Sequence, residues 1–343
     1  MKYLHTIVSE ISRKQIGSCS DQNLKKTYIA RSISGVKQID IFPKESIPPR
    51  GIQSIFHTKL RQTFSNLDAD FALVPHEWSD IAKDHFYLDE LKEISKVIPL
   101  VIFNTGDISP PVNLNNTIQI RTFLHPGENS KWKILIPYPT KRRIFKLRDW
   151  RPVPKVGFMG QIPKFSLGSL ISSPFPSIRH PIKSSVYLSR VLAISKLKKI
   201  DAKIESDIVV RDSFSAFHKN SNLEKHTTEF QQQLNECDYI LCPRGFGNTS
   251  IRFYESISAG RTPILIDTNG GLPELSQENS WDKHILRLNL GEDWSKQILR
   301  DWESLSPGDS YVKRQVGNRE LFDNLLDFDK YMIKLFTGYL KVE

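Results

Sequence analysis

Short, continuous apolar segments alternate with amphipathic helical patterns along most of the chain, and this alternation restricts the fold more than any other feature. Apolar segments of about four to eight residues, bounded by turn residues, are typical of strands buried on both faces. Such strands, separated by helices, form parallel sheets covered by helices, so we predict an α/β fold. The predicted strands are 38–42, 70–75, 98–103, 117–124, 132–137, 155–160, 207–211, 238–243 and 262–267.

The length of 343 residues suits two domains better than one core. The basic, Pro-rich segment 138–155 lacks a sustained period, and we predict that it joins them. The predicted domains are a Rossmann-like domain over 1–145, a second over 146–310, and a helical segment over 311–343 that packs back across the first. Two such domains face each other across a cleft at the carboxyl ends of their strands, where α/β proteins bind ligands.

The segment LCPRGFGNTSIRFYESISAGRTPILID (241–267) is predicted to form one βαβ unit. Its helix should begin after the capping candidates 248–250 and end at Gly260. Gly245 and Gly247 allow close backbone approach and positive φ. Free N–H groups at the helix start and the guanidinium of Arg244 are suited to phosphate oxygens.

Two further residues of this unit extend the predicted site. Arg252 and Glu255 are three positions apart, so they share a helix face, and the carboxylate can accept hydrogen bonds from two ribose hydroxyls. The simpler alternative is a glycine-containing turn with an Arg–Glu surface pair. The residues predicted to bind a nucleoside diphosphate are Arg244, Gly245, Gly247, Asn248, Ser250, Arg252 and Glu255.

This segment closely resembles the C-terminal motif of exostosin-like glycosyltransferases, the family-47 type. Weaker similarity covers ADFALVPHEW, the pair Asp84–His85, the strand KVGFMGQI and Arg190. The Gly that precedes the family's Asp–His pair is absent, as are the membrane anchor and stem of animal members, which suggests a bacterial or viral type. The matching motif residues are Cys242, Pro243, Arg244, Gly245, Ser250, Arg252, Glu255, Gly260 and Pro263, with Ile264 in place of Val.

The resemblance implies a GT-B fold and an inverting transfer of a sugar from a UDP- or GDP-linked donor. The acceptor would be a hydroxyl of a glycan or a lipid-linked glycan. By the same analogy, Arg244 and the backbone of Gly245 and Gly247 hold the diphosphate, Glu255 holds the ribose, and Arg252 orients one or the other. We expect no cofactor and no metal, because the cationic loop can neutralise the diphosphate.

The general base for such a transfer should lie at a strand end of the first domain. The candidates are His76 and Glu77 after the strand 70–75, and Asp107 after the strand 98–103. For each of them, a capping or solvated loop position is the alternative. Trp78, Trp132 and Trp150 are suited to stacking on sugars, with core packing as the alternative.

The sequence offers little for a metal or a disulfide framework. Asp68-Ala69-Asp70 precedes a predicted strand, where Asp is an ordinary turn residue, rather than following it. Cys237 and Cys242 flank an apolar segment and are predicted to be buried thiols, which fits a reducing, cytoplasmic compartment.

The formal net charge of +10 indicates an anionic partner or a charged, soluble surface. The strip KRRIFKLRDWR (141–151) concentrates this charge. A solvated hinge is one interpretation, and attraction of an anionic acceptor or peripheral membrane association is the other. No helix-turn-helix, zinc or RRM pattern supports nucleic-acid binding. A non-catalytic nucleotide- or polyanion-binding protein of the same fold is the alternative to a transferase.

Overall fold

The computed structural model describes residues 72–337, with several short gaps and two longer ones. The predicted strand 38–42, Asp68–Asp70 and the pair Asp84–His85 lie outside the described residues. The gaps are 84–87, 90, 93–94, 97–98, 108–109, 126–127, 129–130, 163–184, 212–222, 276–278 and 307–308.

The first sheet contains four parallel strands in the order β1-β2-β3-β4. All four residues of β2 are buried, as expected for a strand covered on both faces. A short helix, α1 (Trp78–Ile81), follows the first strand. The strands are β1 (Ala72–Glu77), β2 (Leu100–Phe103), β3 (Thr117–Arg121) and β4 (Lys133–Leu135).

The second sheet contains five parallel strands in the order β6-β5-β7-β8-β9. The predicted α/β architecture with parallel sheets is therefore confirmed. The short last strand was not predicted, because three residues show too little periodicity. The strands are β5 (Lys155–Gln161), β6 (Glu205–Arg211), β7 (Tyr239–Cys242), β8 (Thr262–Ile266) and β9 (Leu286–Leu288).

Helices cover the second sheet. Asp238, which precedes β7, is 1% exposed and accepts hydrogen bonds from Arg148 Nε (3.0 Å), Tyr311 Oη (2.6 Å) and the Lys155 N–H (2.8 Å). Asp238 therefore links the segment that precedes β5, through Arg148, to the first residue of β5 and to the helix that carries Tyr311. The helices are α2 (Val186–Lys198), α3 (Leu223–Glu236), α4 (Ile251–Ser258), α5 (Trp294–Ser304), α6 (Asp309–Leu321) and α7 (Phe328–Thr337), with a π-turn at Phe322–Leu326.

Two of the tryptophans considered for sugar stacking are part of the core instead. Trp78 is buried, and its indole N–H donates to the Pro111 carbonyl at 3.3 Å. Trp150 stacks on Trp302 with ring centroids 5.9 Å apart. Trp78 is therefore a core residue of the first sheet, and Trp150, which is partly buried, packs against the core of the second.

The two sheets contact each other at the carboxyl ends of their strands. The Leu124 N–H donates to the Gly270 carbonyl (2.7 Å), and Asn248 Nδ2 donates to the Leu124 carbonyl (2.6 Å). On another side, Tyr331 of α7 donates from Oη to the Leu135 carbonyl of β4 (3.0 Å). The C-terminal helix thus packs back against the first sheet, as predicted.

Candidate functional site

The loop 243–250 connects β7 to α4 and carries most of the predicted site. Ser250 occupies the N-cap position of α4, but its side chain makes no capping hydrogen bond. Gly260, with φ of 74°, lies just past the end of the helix, as predicted. The first N–H groups of α4 therefore have no side-chain cap and favour an anion.

The glycines of this loop are required for space and not for φ, which corrects the prediction. The positive φ in the loop belongs to Asn248 (21°). A Cβ on Gly247 would lie 2.5 Å from Phe123 Cε1 and 2.6 Å from Asp107 Oδ1, both in the first domain. A Cβ on Gly245 would lie 3.0 Å from the Thr249 carbonyl oxygen. Any side chain at Gly247 would thus separate the loop from the opposite wall.

Arg244 stabilises the conformation of the loop 243–250 through hydrogen bonds to backbone carbonyls of the same loop. Its side chain is buried and donates to the carbonyls of Gly245 (Nε, 3.3 Å) and Phe246 (Nη2, 3.1 Å). Arg190 of α2 in turn donates from Nε to the Arg244 carbonyl (2.9 Å). Burial and the neighbouring charge of Arg190 lower the pKa of Arg244 to about 10. Both guanidinium groups remain charged at neutral pH and brace the loop.

Arg252, in the first turn of α4, is placed differently. Its side chain is partly buried, and its guanidinium makes no hydrogen bond with any residue that the structure describes. The guanidinium carbon lies 5.4 Å from the centroid of the Phe230 ring. Burial lowers the pKa of Arg252, and the charges of Arg211 and Arg143 lower it further, whereas Glu255 opposes them. Arg252 is therefore a cation without a bonded counterion in a cationic environment.

Glu255 is buried and bound by Arg143, which corrects the idea of an Arg252–Glu255 surface pair. Arg143 donates to Glu255 Oε1 from Nε (3.0 Å) and from Nη2. Among the described residues, no hydrogen bond reaches Oε2. A ribose role for Glu255 would therefore use the second oxygen of a carboxylate that Arg143 already orients.

The basic strip 141–151 is packed onto the second domain, and most of its charge is compensated there. Besides Arg143, three of its arginines form ion pairs: Arg142 with Asp323 (2.8 Å), Arg148 with Asp238 (3.0 Å), and Arg151 with Asp238 (3.6 Å). The strip is solvent-exposed at six of its eleven residues, as in the predicted solvated hinge, but its arginines fix it to the neighbouring elements. Lys141 and Lys146 of the strip are exposed, and peripheral membrane association through the strip stays a prediction.

Asp107 is the predicted base that reaches the loop 243–250, which we call the donor loop after its predicted role. It follows β2, and its carboxylate lies against Gly247 across the cleft. Removal of water by the surrounding protein raises the pKa of Asp107, while a hydrogen bond from the Gly247 backbone acts in the opposite direction. A carboxylate already held by this loop shows that the loop accommodates an oxyanion.

Glu77 has a different position from the one expected of a base. Its Oε1 accepts hydrogen bonds from the N–H groups of Thr105 (2.7 Å) and Gly106 (3.0 Å), and Oε2 accepts one from Thr105 Oγ1 (2.6 Å). These bonds fix the loop that carries Asp107. His76 lies within β1, and its side chain is not among the described ones.

Two buried residues on the first-domain wall were not singled out from the sequence. Arg121 ends β3, and His125 follows it in the loop that contacts Asn248 and Gly270. The signal that could have found them is a basic residue at the carboxyl end of an otherwise apolar strand. Both lie where the two sheets meet.

The structure predicts a pH dependence for His125. Burial lowers its pKa to about 4, with contributions from Arg121 and Arg244, against the opposing charge of Glu128. The unfolded chain takes up this proton near pH 6.5, whereas the folded chain does so near pH 4. The free energy of unfolding should therefore fall as the pH drops from 6.5 to 4, by up to about 3 kcal/mol from this residue.

Urea unfolding of the wild type and His125→Gln at pH 6.5, 5.5 and 4.5 would measure this contribution. The variant should lose that part of the pH dependence and keep the part due to carboxylates. An NMR titration that placed the His125 pKa at or above 6.5 would contradict the prediction.

The described part of the chain contains neither a cluster of metal ligands nor a membrane-spanning helix. No group of three or more His, Cys, Asp or Glu residues in these ranges could hold a metal ion. In the same part of the chain, no helix combines the length and apolarity needed to cross a bilayer.

No protein-family model and no curated protein sequence matches the chain. Several solved structures are similar. HepE of Anabaena, in complex with UDP, is 11% identical, with 95% of this chain and 98% of that chain covered and a TM-score of 0.40. WaaG, a glycosyltransferase involved in lipopolysaccharide biosynthesis, is 9% identical, with 92% and 95% covered and a TM-score of 0.35.

The C-terminal domain of a glycosyl transferase group 1 family protein, LpcC of Francisella tularensis, is 13% identical, with 50% of this chain and 86% of that chain covered and a TM-score of 0.26. The α/β architecture of this chain follows from its own strand order.

Proposed function

We propose that this chain is an exostosin-like glycosyltransferase of the GT-B type that transfers a sugar from a nucleotide sugar to a hydroxyl of a glycan or glycolipid. The observation that carries the proposal is the unpaired guanidinium of Arg252 beside the uncapped start of α4. Both features attract an oxyanion, and they lie at the carboxyl ends of parallel strands.

The charge of this region suits a diphosphate. Arg190, Arg211 and Arg143 surround Arg252 closely enough to interact with it electrostatically, and Glu255 is the one carboxylate whose charge raises its pKa. A nucleoside diphosphate carries at least two negative charges and would relieve this repulsion. Arg244 would then keep the loop in shape, and the Gly247 N–H and Arg252 would contact the phosphates.

Asp107 is the residue that we assign to proton transfer. A bound diphosphate would replace its carboxylate at the Gly247 N–H and leave it facing the acceptor. The acceptor oxygen then forms the new bond to the anomeric carbon while the bond from that carbon to the phosphate oxygen breaks. The electron pair leaves with the nucleoside diphosphate, and the hydroxyl proton passes to Asp107. A single displacement of this kind inverts the anomeric configuration.

The cationic loop is expected to stabilise the leaving diphosphate without a metal. A thermal-shift panel of UDP, GDP, CDP and dTDP and their sugar conjugates, with and without manganese, tests this. A ligand that binds only the folded state raises the melting temperature according to its affinity. We expect a shift with UDP or GDP and no dependence on manganese. No shift with any nucleotide would overturn the proposal.

Asp107→Asn separates catalysis from binding. The variant should bind the nucleotide at least as tightly as the wild type, because the competing carboxylate charge is gone, and should transfer sugar at least about 100-fold more slowly. If the wild type binds nucleotide but neither transfers nor hydrolyses sugar, the non-catalytic binding protein is the better description.

A further inference from the structure

The side chain of Arg121 has two buried nitrogens whose N–H groups have no acceptor in the described structure. The residue is 2% exposed. Its Nη1 donates to Glu128 Oε1 (2.9 Å) and Gln119 Oε1 (3.3 Å). Its Nε and Nη2 are buried and have no hydrogen-bond partner among the described residues. Buried guanidinium nitrogens without partners are rare and costly, so such a pair calls for a ligand or water.

The two unpartnered nitrogens are the ones that can act together. Nε and Nη2 lie on the same edge of the planar guanidinium and direct two parallel N–H bonds outward. This edge matches the two oxygens of a carboxylate or a phosphate in a bidentate pair. Because the other nitrogen, Nη1, is occupied by Glu128 and Gln119, it is this bidentate edge that remains available.

The surrounding charges leave room for one more anion. Glu128 is shared between Arg121 (2.9 Å) and Lys133 (2.9 Å), and Glu77 is close enough to contribute to the electrostatics of Arg121. On the other side, Arg244 of the second domain is close enough to act on His125. Arg121 and Lys133 thus balance Glu128 and Glu77, and Arg244 is a further cation beside His125. Burial lowers the pKa of Arg121 in spite of both carboxylates, in keeping with incomplete compensation.

The position of Arg121 relates it to the donor loop. Its guanidinium carbon lies 5.6 Å from the centroid of the Phe123 ring. The same ring has an edge carbon 2.5 Å from a Cβ position on Gly247. One aromatic ring therefore separates Arg121 from the loop proposed to hold the diphosphate.

We propose that the Nε–Nη2 edge of Arg121 binds an oxyanion of the acceptor, so that the acceptor is an anionic glycan or glycolipid carrying a carboxylate or a phosphate. This inference rests on the proposed function, which supplies the acceptor. Entry requires release of the contacts of Leu124 with Asn248 and Gly270, as in hinge opening of two-domain proteins. The alternative is that ordered water fills the edge.

The test uses the full chain and three probes: inorganic phosphate, D-glucuronate, and neutral D-glucose. Affinity is measured by calorimetry with the nucleotide identified by the thermal-shift panel present at saturation, so that the donor site is filled. The variants are Arg121→Met, which keeps the side-chain length, Arg121→Lys, which keeps the charge but not the parallel N–H pair, and Lys133→Met, which removes one charge from the same cluster.

We expect the wild type to bind phosphate or glucuronate, whichever group the acceptor carries, and not glucose. Arg121→Met and Arg121→Lys should each weaken that affinity at least about tenfold, with nucleotide affinity unchanged, and Lys133→Met should have a smaller effect. Equal losses in all three variants would indicate general electrostatic attraction and overturn the proposal, as would the absence of anion binding by the wild type.

Two further measurements keep the proposal testable if a variant misfolds or no nucleotide binds. Crystals of the wild type soaked in selenate should show anomalous density at Nε and Nη2 of Arg121, and ordered water there instead would overturn the proposal. If no nucleotide binds, the same anion titration is made on Arg252→Met without nucleotide. Anion binding that persists in that variant and depends on Arg121 would support the site even though the proposed function had failed.

Discussion

Arg252→Met is expected to lower sugar transfer by about 100- to 1000-fold without destabilising the protein. Removal of one preorganised donor from a developing anion costs this much in enzymes that stabilise charge electrostatically. The guanidinium of Arg252 makes no hydrogen bond with the described residues, and Arg211 and Arg143 repel it. Its loss should therefore leave the melting temperature unchanged or raise it, which is typical of a residue retained for function at the expense of stability.

The measurements are kcat/KM for transfer and the melting temperature without ligand. Arg211→Met is the matched control, because Arg211 pairs with Glu229 (3.1 Å) and donates to the His226 carbonyl (3.3 Å). The control should lose more stability and less activity than Arg252→Met. Arg252→Lys should recover part of the activity, since it restores the charge but not the planar fork. If Arg252→Met transferred sugar as fast as the wild type, the proposed role of Arg252 in binding the diphosphate would be wrong.

The strands of both sheets could be predicted from the sequence because a continuous apolar segment indicates by itself a strand that is buried on both faces. A continuous apolar segment such as 239–242 is buried at every position, and the predicted strand coincides with β7 within about one residue at each end. The same holds for α4, which ends just before Gly260 as its sequence predicts. Local periodicity and turn residues were sufficient to predict the bounds of β7 and of α4.

The contacts between distant segments could not be predicted in this way. The partner of Glu255 is Arg143, which lies 112 residues earlier in the chain and belongs to a strip that looked like a solvated hinge. Similarly, Gly247 reads as a residue needed for positive φ, but the structure requires it because Phe123 and Asp107 occupy the space of a side chain. Such roles depend on which surfaces meet, and periodicity along one segment carries no information about that.

Asp238→Ala is expected to cost about 3–5 kcal/mol of stability, which is a large part of the total for a domain of this size. The carboxylate is buried, and its removal leaves Arg148, Tyr311 Oη and the Lys155 N–H without their acceptor. Burial lowers the pKa of Arg148, but Asp238 and Tyr311 more than reverse this and raise it overall. The partly buried guanidinium of Arg148 thus depends on Asp238 for its counter-charge, while its Nη1 also donates to the Asn235 carbonyl at 2.8 Å.

Urea unfolding of Asp238→Ala and Tyr311→Phe, followed by fluorescence, measures the prediction. Tyr311→Phe removes one hydrogen bond and keeps the ion pair, so it should cost only about 1 kcal/mol. A loss below 1 kcal/mol in Asp238→Ala would mean that water replaces the carboxylate without strain. Because Arg148 belongs to the basic strip, the expected result would also show that this strip is part of the second domain's folded core.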